Sequence, residues 1–310
     1  MLPLSIGVVL LAGSAMPALQ DVVRTFGSAP QAGLKACTTS GLAQTSAPST
    51  SADVSVRALL QTARRQSADG DAAAALDSLR QARTIAPNSE EVLSAFAQVA
   101  LAARMLLPAI VTLDSLTRIC PTVAQHHYLL GVAFMEGGDM PAASAALAEA
   151  NRLEPERPLT LLALGLALNG RKQYAEAKTA LLHSLELDPD QLDAIAALSE
   201  AEAGTGDLRQ AEQHARRVLA RASAHPTANL VIGLVLMQQE RYADARSALE
   251  KAAAADAASP AAQYQLSLAC ARLGDEAGAQ AHLELYRRKL RETEDRIKAL
   301  RSATIGKVSQ

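Results

Sequence analysis

The 310-residue chain is 49% hydrophobic but only 3% aromatic and lacks tryptophan, so its apolar mass is mostly Ala and Leu. These are strong helix formers, whereas β-branched and aromatic residues would favour strands, and an all-helical chain is expected. Its 30 basic and 32 acidic residues leave a formal net charge of -2, which excludes a general field for attracting nucleic acid or an anionic membrane.

Residues 1–19 carry no charged side chain and hold the apolar run Ile6-Gly7-Val8-Val9-Leu10-Leu11-Ala12, followed by small residues. This is the pattern of an export signal peptide or an uncleaved membrane anchor. No Lys or Arg precedes the run, and Pro3 and Pro17 shorten any spanning helix. Export or membrane association is the expectation, with a cytoplasmic start as the alternative. Residues 20–55 are rich in Ser, Thr, Ala and Pro. Such a segment buries too little apolar surface to offset its ordering entropy and reads as a flexible linker. Cys37, Cys120 and Cys270 form no CxxC pair. They read as one linker thiol and two small buried hydrophobes, not as a disulfide framework or a zinc site.

From Val56 onward the chain repeats. Pro87, Pro121, Pro155 and Pro189 stand 34 residues apart, and Gly131, Gly165 and Gly233 keep the same frame. So do Ala75, Ala109, Ala143, Ala177, Ala211, Ala245 and Ala279, without an insertion. Seven units starting at residues 56, 90, 124, 158, 192, 226 and 260 follow, ending near residue 293. The fourth shows why each is a helical hairpin. Pro158 suits a first helical turn, and Leu161, Leu164 and Leu168 recur on one face. Asn169-Gly170 is expected to end that helix in left-handed geometry. Tyr174, Ala177, Leu181 and Ser184 form the inner stripe of the second helix, which Pro189 stops. Neither helix can bury its stripe alone, so stacking stabilises both.

These spacings resemble the tetratricopeptide repeat, over residues 56 to about 293. The resemblance implies an all-α, right-handed superhelical solenoid that binds protein. The departures are local: Thr62 and Gln66 are polar in unit one, and Glu202 is polar in unit five. A second period lies on top: Gly70-Asp71, Gly138-Asp139, Gly206-Asp207 and Gly274-Asp275 recur every 68 residues. Gly ends one helix and Asp caps the next, as in a duplicated two-unit block. Residues 280–302 form a charged helix that completes the last unit and serves as its polar cap. Glu292/Arg296 and Glu294/Lys298 are spaced to pair along it.

No HExxH, GxSxG or GxGxxG pattern occurs, and no cofactor, metal site or catalytic residue is indicated. Adjacent His126 and His127 face different sides of a helix, and His183 with Glu186 reads as solvated surface. A non-catalytic scaffold or adaptor is expected. The rivals are a self-associating structural solenoid and, with less support, an enzyme lacking a recognisable motif. In the family that the repeat resembles, first helices line a concave groove. Carried onto this chain, the groove residues are Tyr128, Val132 and Met135, then Leu162, Leu166 and Asn169. Glu200, Leu230, Leu234, Met237, Tyr264 and Leu268 complete the set. The surface is apolar, interrupted by Asp193 and Glu200, and suits an amphipathic or apolar segment of a partner protein; the alternative is that some of these leucines pack between adjacent first helices. Clamping of a chaperone's C-terminal carboxylate is disfavoured, because apolar residues fill most of the corresponding places.

Overall fold

The computed structural model describes residues 51–256 and 259–305. The expected signal or anchor of residues 1–19, most of the linker and Cys37 lie outside these residues. Among the described residues every regular element is a helix, and the 14 helices form seven hairpins. The first three are α1 (Ser51–Ala68) with α2 (Ala72–Ile85), α3 (Glu90–Ala102) with α4 (Leu106–Ile119), and α5 (Ala124–Gly137) with α6 (Met140–Leu153). Next come α7 (Pro158–Gly170) with α8 (Tyr174–Leu187), and α9 (Leu192–Thr205) with α10 (Leu208–Arg221). The last two are α11 (Pro226–Gln238) with α12 (Tyr242–Ala255), and α13 (Pro260–Arg272) with α14 (Glu276–Ile305). The first helix opens at Ser51 rather than Val56, so the end of the Ser/Thr-rich segment is helical. Of α1, only Leu60 and Ala63 are buried, as suits a unit that among the described residues has a neighbour on one side only.

Three hairpins close on a glycine opposed to a leucine, while in unit five the same pair of positions holds Ser199 and Ala215. A Cβ placed on Gly131, Gly165 or Gly233 would lie 2.5 Å from the side chain of Leu147, Leu181 or Leu249, respectively. Those leucines are fully buried, and the alanine column runs beside them. Ala75 through Ala245 are closed off at every unit, whereas Ala279 in the last described unit is half-buried. Cys120 and Cys270 are buried as small hydrophobes. Polar Glu202, out of place in the apolar column, is buried against His214 Nδ1 at 2.7 Å.

The turn within each hairpin places one left-handed residue every 34 positions: Gly70, Arg104, Gly138, Lys172, Gly206, Glu240 and Gly274. The alternation therefore changes the residue and not the backbone. In unit four the left-handed residue is Lys172, at φ 62°, and not Asn169 or Gly170; α7 runs through both, and Asn169 faces inward. Asp71, Asp139 and Asp275 accept from the backbone N–H of Ala74, Ala142 and Gly278, as caps. Asp207 accepts instead from Lys178 Nζ at 3.1 Å. A side chain in the left-handed region costs roughly 1 kcal/mol that glycine avoids. Lys172→Gly is thus expected to stabilise by about 0.5–1 kcal/mol despite the added freedom of the unfolded chain. The thermal midpoint checks it, and a fall would show that the lysine side chain contributes more than its backbone strain costs.

The last helix does more than cap. It is continuous over 30 residues and packs on α13 at its start and on α4 and α5 near its end. Leu283, Tyr286, Leu290, Thr293, Ile297 and Leu300 make a stripe at alternating spacings of three and four, and Leu300 is buried to 4% exposure. Arg296 does not rely on Glu292: its Nη1 donates to the Glu136 carbonyl at 3.3 Å, and Glu292 sits 3.8 Å from Arg288.

Candidate functional site

The candidate face is the inner side of the first helices, and in the middle of the array these helices are buried on most sides. In α9 every residue from Ala194 to Glu202 is buried. A helix apolar on all sides belongs to an interior. Here the small residues Ala194, Ala196, Ala197 and Ala201 let neighbouring first helices close in, so α7, α9 and α11 touch directly.

This changes the predicted groove. Tyr128, Val132, Leu162, Leu166, Asn169, Glu200, Leu230 and Leu234 are all buried. They fill the joints between successive first helices and do not offer an open apolar surface. Met135, Met237, Tyr264 and Leu268 are half-buried and keep accessible surface. Met237 packs at the edge of the cluster built by Leu230, Leu234 and Leu266, and the Tyr264 ring stacks at a tilt on Tyr286, 5.2 Å between centroids. Three of the four therefore lie on the neighbouring helices α11 and α13.

Two of the buried set are polar. Asn169 Nδ2 donates to the Ala197 carbonyl at 2.8 Å and, more weakly, to Glu200 Oε2 at 3.5 Å. Asn169 Oδ1 and the nearby Tyr174 hydroxyl are buried without a hydrogen-bond partner. No cation pairs with Glu200 among the described residues, and burial pushes its carboxyl up to about 7 against the opposing pull of Asn169. Burial, with a smaller contribution from Glu200, raises the Tyr174 hydroxyl to about 12. The arrangement places one carboxyl beside an amide, with its charged form disfavoured by burial.

The histidines do not converge on a metal. His126 is buried beside Ser94 and Glu90, while the His127 ring meets the Pro121 carbonyl. His183 is half-buried and Glu186 exposed. Among the described residues no group of three or more His, Cys, Asp or Glu is arranged to hold an ion. No helix among them is long and apolar enough to cross a membrane. Sequence reasoning missed the seat of Leu300 and Arg301 on the turn of unit three. The signals were the three-and-four stripe of α14 and the second glycine of Gly137-Gly138, which the other Gly-Asp turns lack.

A family profile, tetratricopeptide repeat, matches residues 128–191, 196–260 and 230–292, which together exceed half of the chain. No curated protein sequence matches this chain. Among solved structures, a tetratricopeptide repeat protein from Parabacteroides merdae superposes with a TM-score of 0.61 at 16% identity, covering 81% of this chain and 99% of that one. The crystal structure of MamA gives 0.51 at 20% identity over 55% of this chain and 92% of its own. YrrB, a tetratricopeptide repeat protein with an unusual peptide-binding site, gives 0.51 at 16% identity over 58% and 96%. Cut9, from the Cut9–Hcn1 hetero-tetramer, gives 0.55 at 18% identity over 69% and 42%. At these identities the likeness is one of fold. With seven stacked hairpins, a 34-residue frame and the profile match in agreement, this chain belongs to the tetratricopeptide repeat family.

Proposed function

We propose that the protein is a non-catalytic adaptor that holds an apolar or amphipathic segment of another protein against the inner side of units six and seven. The tetratricopeptide fold generally mediates protein–protein interaction. Two similar structures point the same way, since YrrB carries a peptide-binding site and Cut9 is held in a hetero-tetramer with Hcn1. The observation that carries the reading is the residual surface of Met237, Tyr264 and Leu268 on the neighbouring helices α11 and α13, where Leu162, Leu166, Leu230 and Leu234 are closed. Thioether, phenol and leucine are adaptable apolar contacts of the sort that take a partner helix.

The test is capture of partners from native extract by the full chain and by a Met237→Glu/Leu268→Glu variant, after circular dichroism shows equal helicity. Buried Leu166 and Leu234 are left alone, because a charge there would unfold the array. Proteins lost from the variant alone are the expected result. Identical captured sets would defeat this placement of the surface.

A further inference from the structure

The turn of unit three differs from its counterparts, and each difference meets the end of α14. In units five and seven the turn aspartate is bridged by a cation from the preceding unit: Lys178 reaches Asp207 at 3.1 Å, and Arg246 reaches Asp275 at 3.2 Å. The repeat frame puts a buried Ile110 at that position of unit two. Arg301 takes the place of the cation. Its Nε and Nη2 donate to the two carboxylate oxygens of Asp139 at 2.6 and 2.8 Å, and Asp139 is only 1% exposed. Burial raises the Asp139 carboxyl, but hydrogen bonds from Arg301 and the Ala142 N–H outweigh it and hold the group below the usual carboxylate range.

Next to it, the extra glycine makes room. A Cβ on Gly137 would lie 2.5 Å from Leu300 Cδ1, and Leu300 supplies the only neighbouring atoms within 4 Å. A Cβ on Gly138 would lie 2.7 Å from Thr293 Cγ2. The seat thus has a shape and a charge matched to Thr293, Leu300 and Arg301. Between Gly278 and Ile305 α14 contains no glycine or proline. At 1.5 Å per residue it is a stiff rod of about 45 Å, packed on unit seven at one end and on units two and three at the other, with its charged contact on unit three.

We propose that α14 is a releasable brace that sets the curvature of units three to seven, so that the inner face opens only when Leu300 and Arg301 leave their seat on Gly137 and Asp139. An array of stacked repeats otherwise touches only nearest neighbours, and its curvature follows from small rotations at each joint. A rod joining distant units fixes the sum of those rotations. Partner capture on the inner face and seating of α14 are then coupled, each altering the equilibrium of the other by the same factor. The brace can be tested without any partner, and its failure leaves the adaptor reading standing.

The experiment is hydrogen exchange together with small-angle scattering on the full chain, wild type against Arg301→Glu and Gly137→Leu. The Cβ of the second variant meets Leu300, and leucine favours the helix of α5, so the variant is expected to act on the seat without unfolding unit three. Both are expected to accelerate amide exchange over residues 294–302 roughly ten- to a hundredfold, the range of one charge-assisted seat. Both are also expected to enlarge the radius of gyration while exchange in α7 to α12 stays slow. Faster exchange with unchanged dimensions would make α14 a plain end cap and overturn the proposal. Unchanged exchange in both variants would overturn it as well.

Discussion

Glu200→Gln is expected to raise the thermal midpoint clearly at pH 8 and only slightly at pH 4.5. The glutamate sits on α9 at 8% exposure, with Asn169 as its one side-chain hydrogen-bond donor and its carboxyl raised by burial to about 7. Below an ordinary carboxylate value of about 4.5 the group is protonated in the folded and unfolded chain alike, and the fold loses nothing. Between there and about pH 7 the unfolded chain releases the proton while the folded chain keeps it, so stability falls as pH rises. Above that value the loss is complete, on the order of 3 kcal/mol. The amide that replaces the carboxyl never ionises. Its NH2 can also donate to Asn169 Oδ1, which is buried without a partner. Denaturant melts of both proteins from pH 4.5 to 8.5 should diverge through this window. Parallel curves would mean that Glu200 is ionised at little cost, through solvent or counter-ions reaching the inner face.

The hairpin array was legible in the sequence because each unit meets the same neighbours. A residue that must touch the adjacent helix, such as the alanine of the second helix or the glycine opposite Leu181, is under the same constraint every 34 positions. Packing between first helices was legible as an alternative, but which inner-face residues it buries was not. Whether Leu162, Leu166 or Leu230 lines a groove or fills a joint depends on how closely successive first helices approach. That distance is set jointly by small residues on several helices, such as Ala194, Ala197 and Ala201. The 68-residue alternation was visible as a period, but its use was not. Lys178 meets Asp207 and Arg246 meets Asp275 only once the offset between units is known. The seat of Arg301 on Asp139 joins residues 162 positions apart, and no local spacing encodes such a contact.

Leu181→Ala should be among the most damaging single changes, and Gly165→Ala should partly repair it. Leu181 is fully buried, and all three of its branch atoms lie against the position where Gly165 would carry a Cβ, at 2.5, 2.7 and 3.1 Å. Removing the side chain leaves a cavity between α7 and α8 and is expected to cost about 2–5 kcal/mol. Adding a methyl group at Gly165 alone over-packs the same space. The nearest contact is with Leu181 Cγ, which rotation about χ2 does not move, so about 1–3 kcal/mol is expected to be lost despite the better helix propensity of alanine. Together the new methyl group occupies part of the cavity. The double variant should then be more stable than Leu181→Ala alone, with a coupling of roughly 1 kcal/mol or more. Hydrogen exchange of α7 and α8 is the suitable measure, because a repeat array can open one unit at a time. Strictly additive losses would mean that the two helices do not meet at this point. The small-residue column, the clearest regularity in the chain, would then need a cause other than close helix contact.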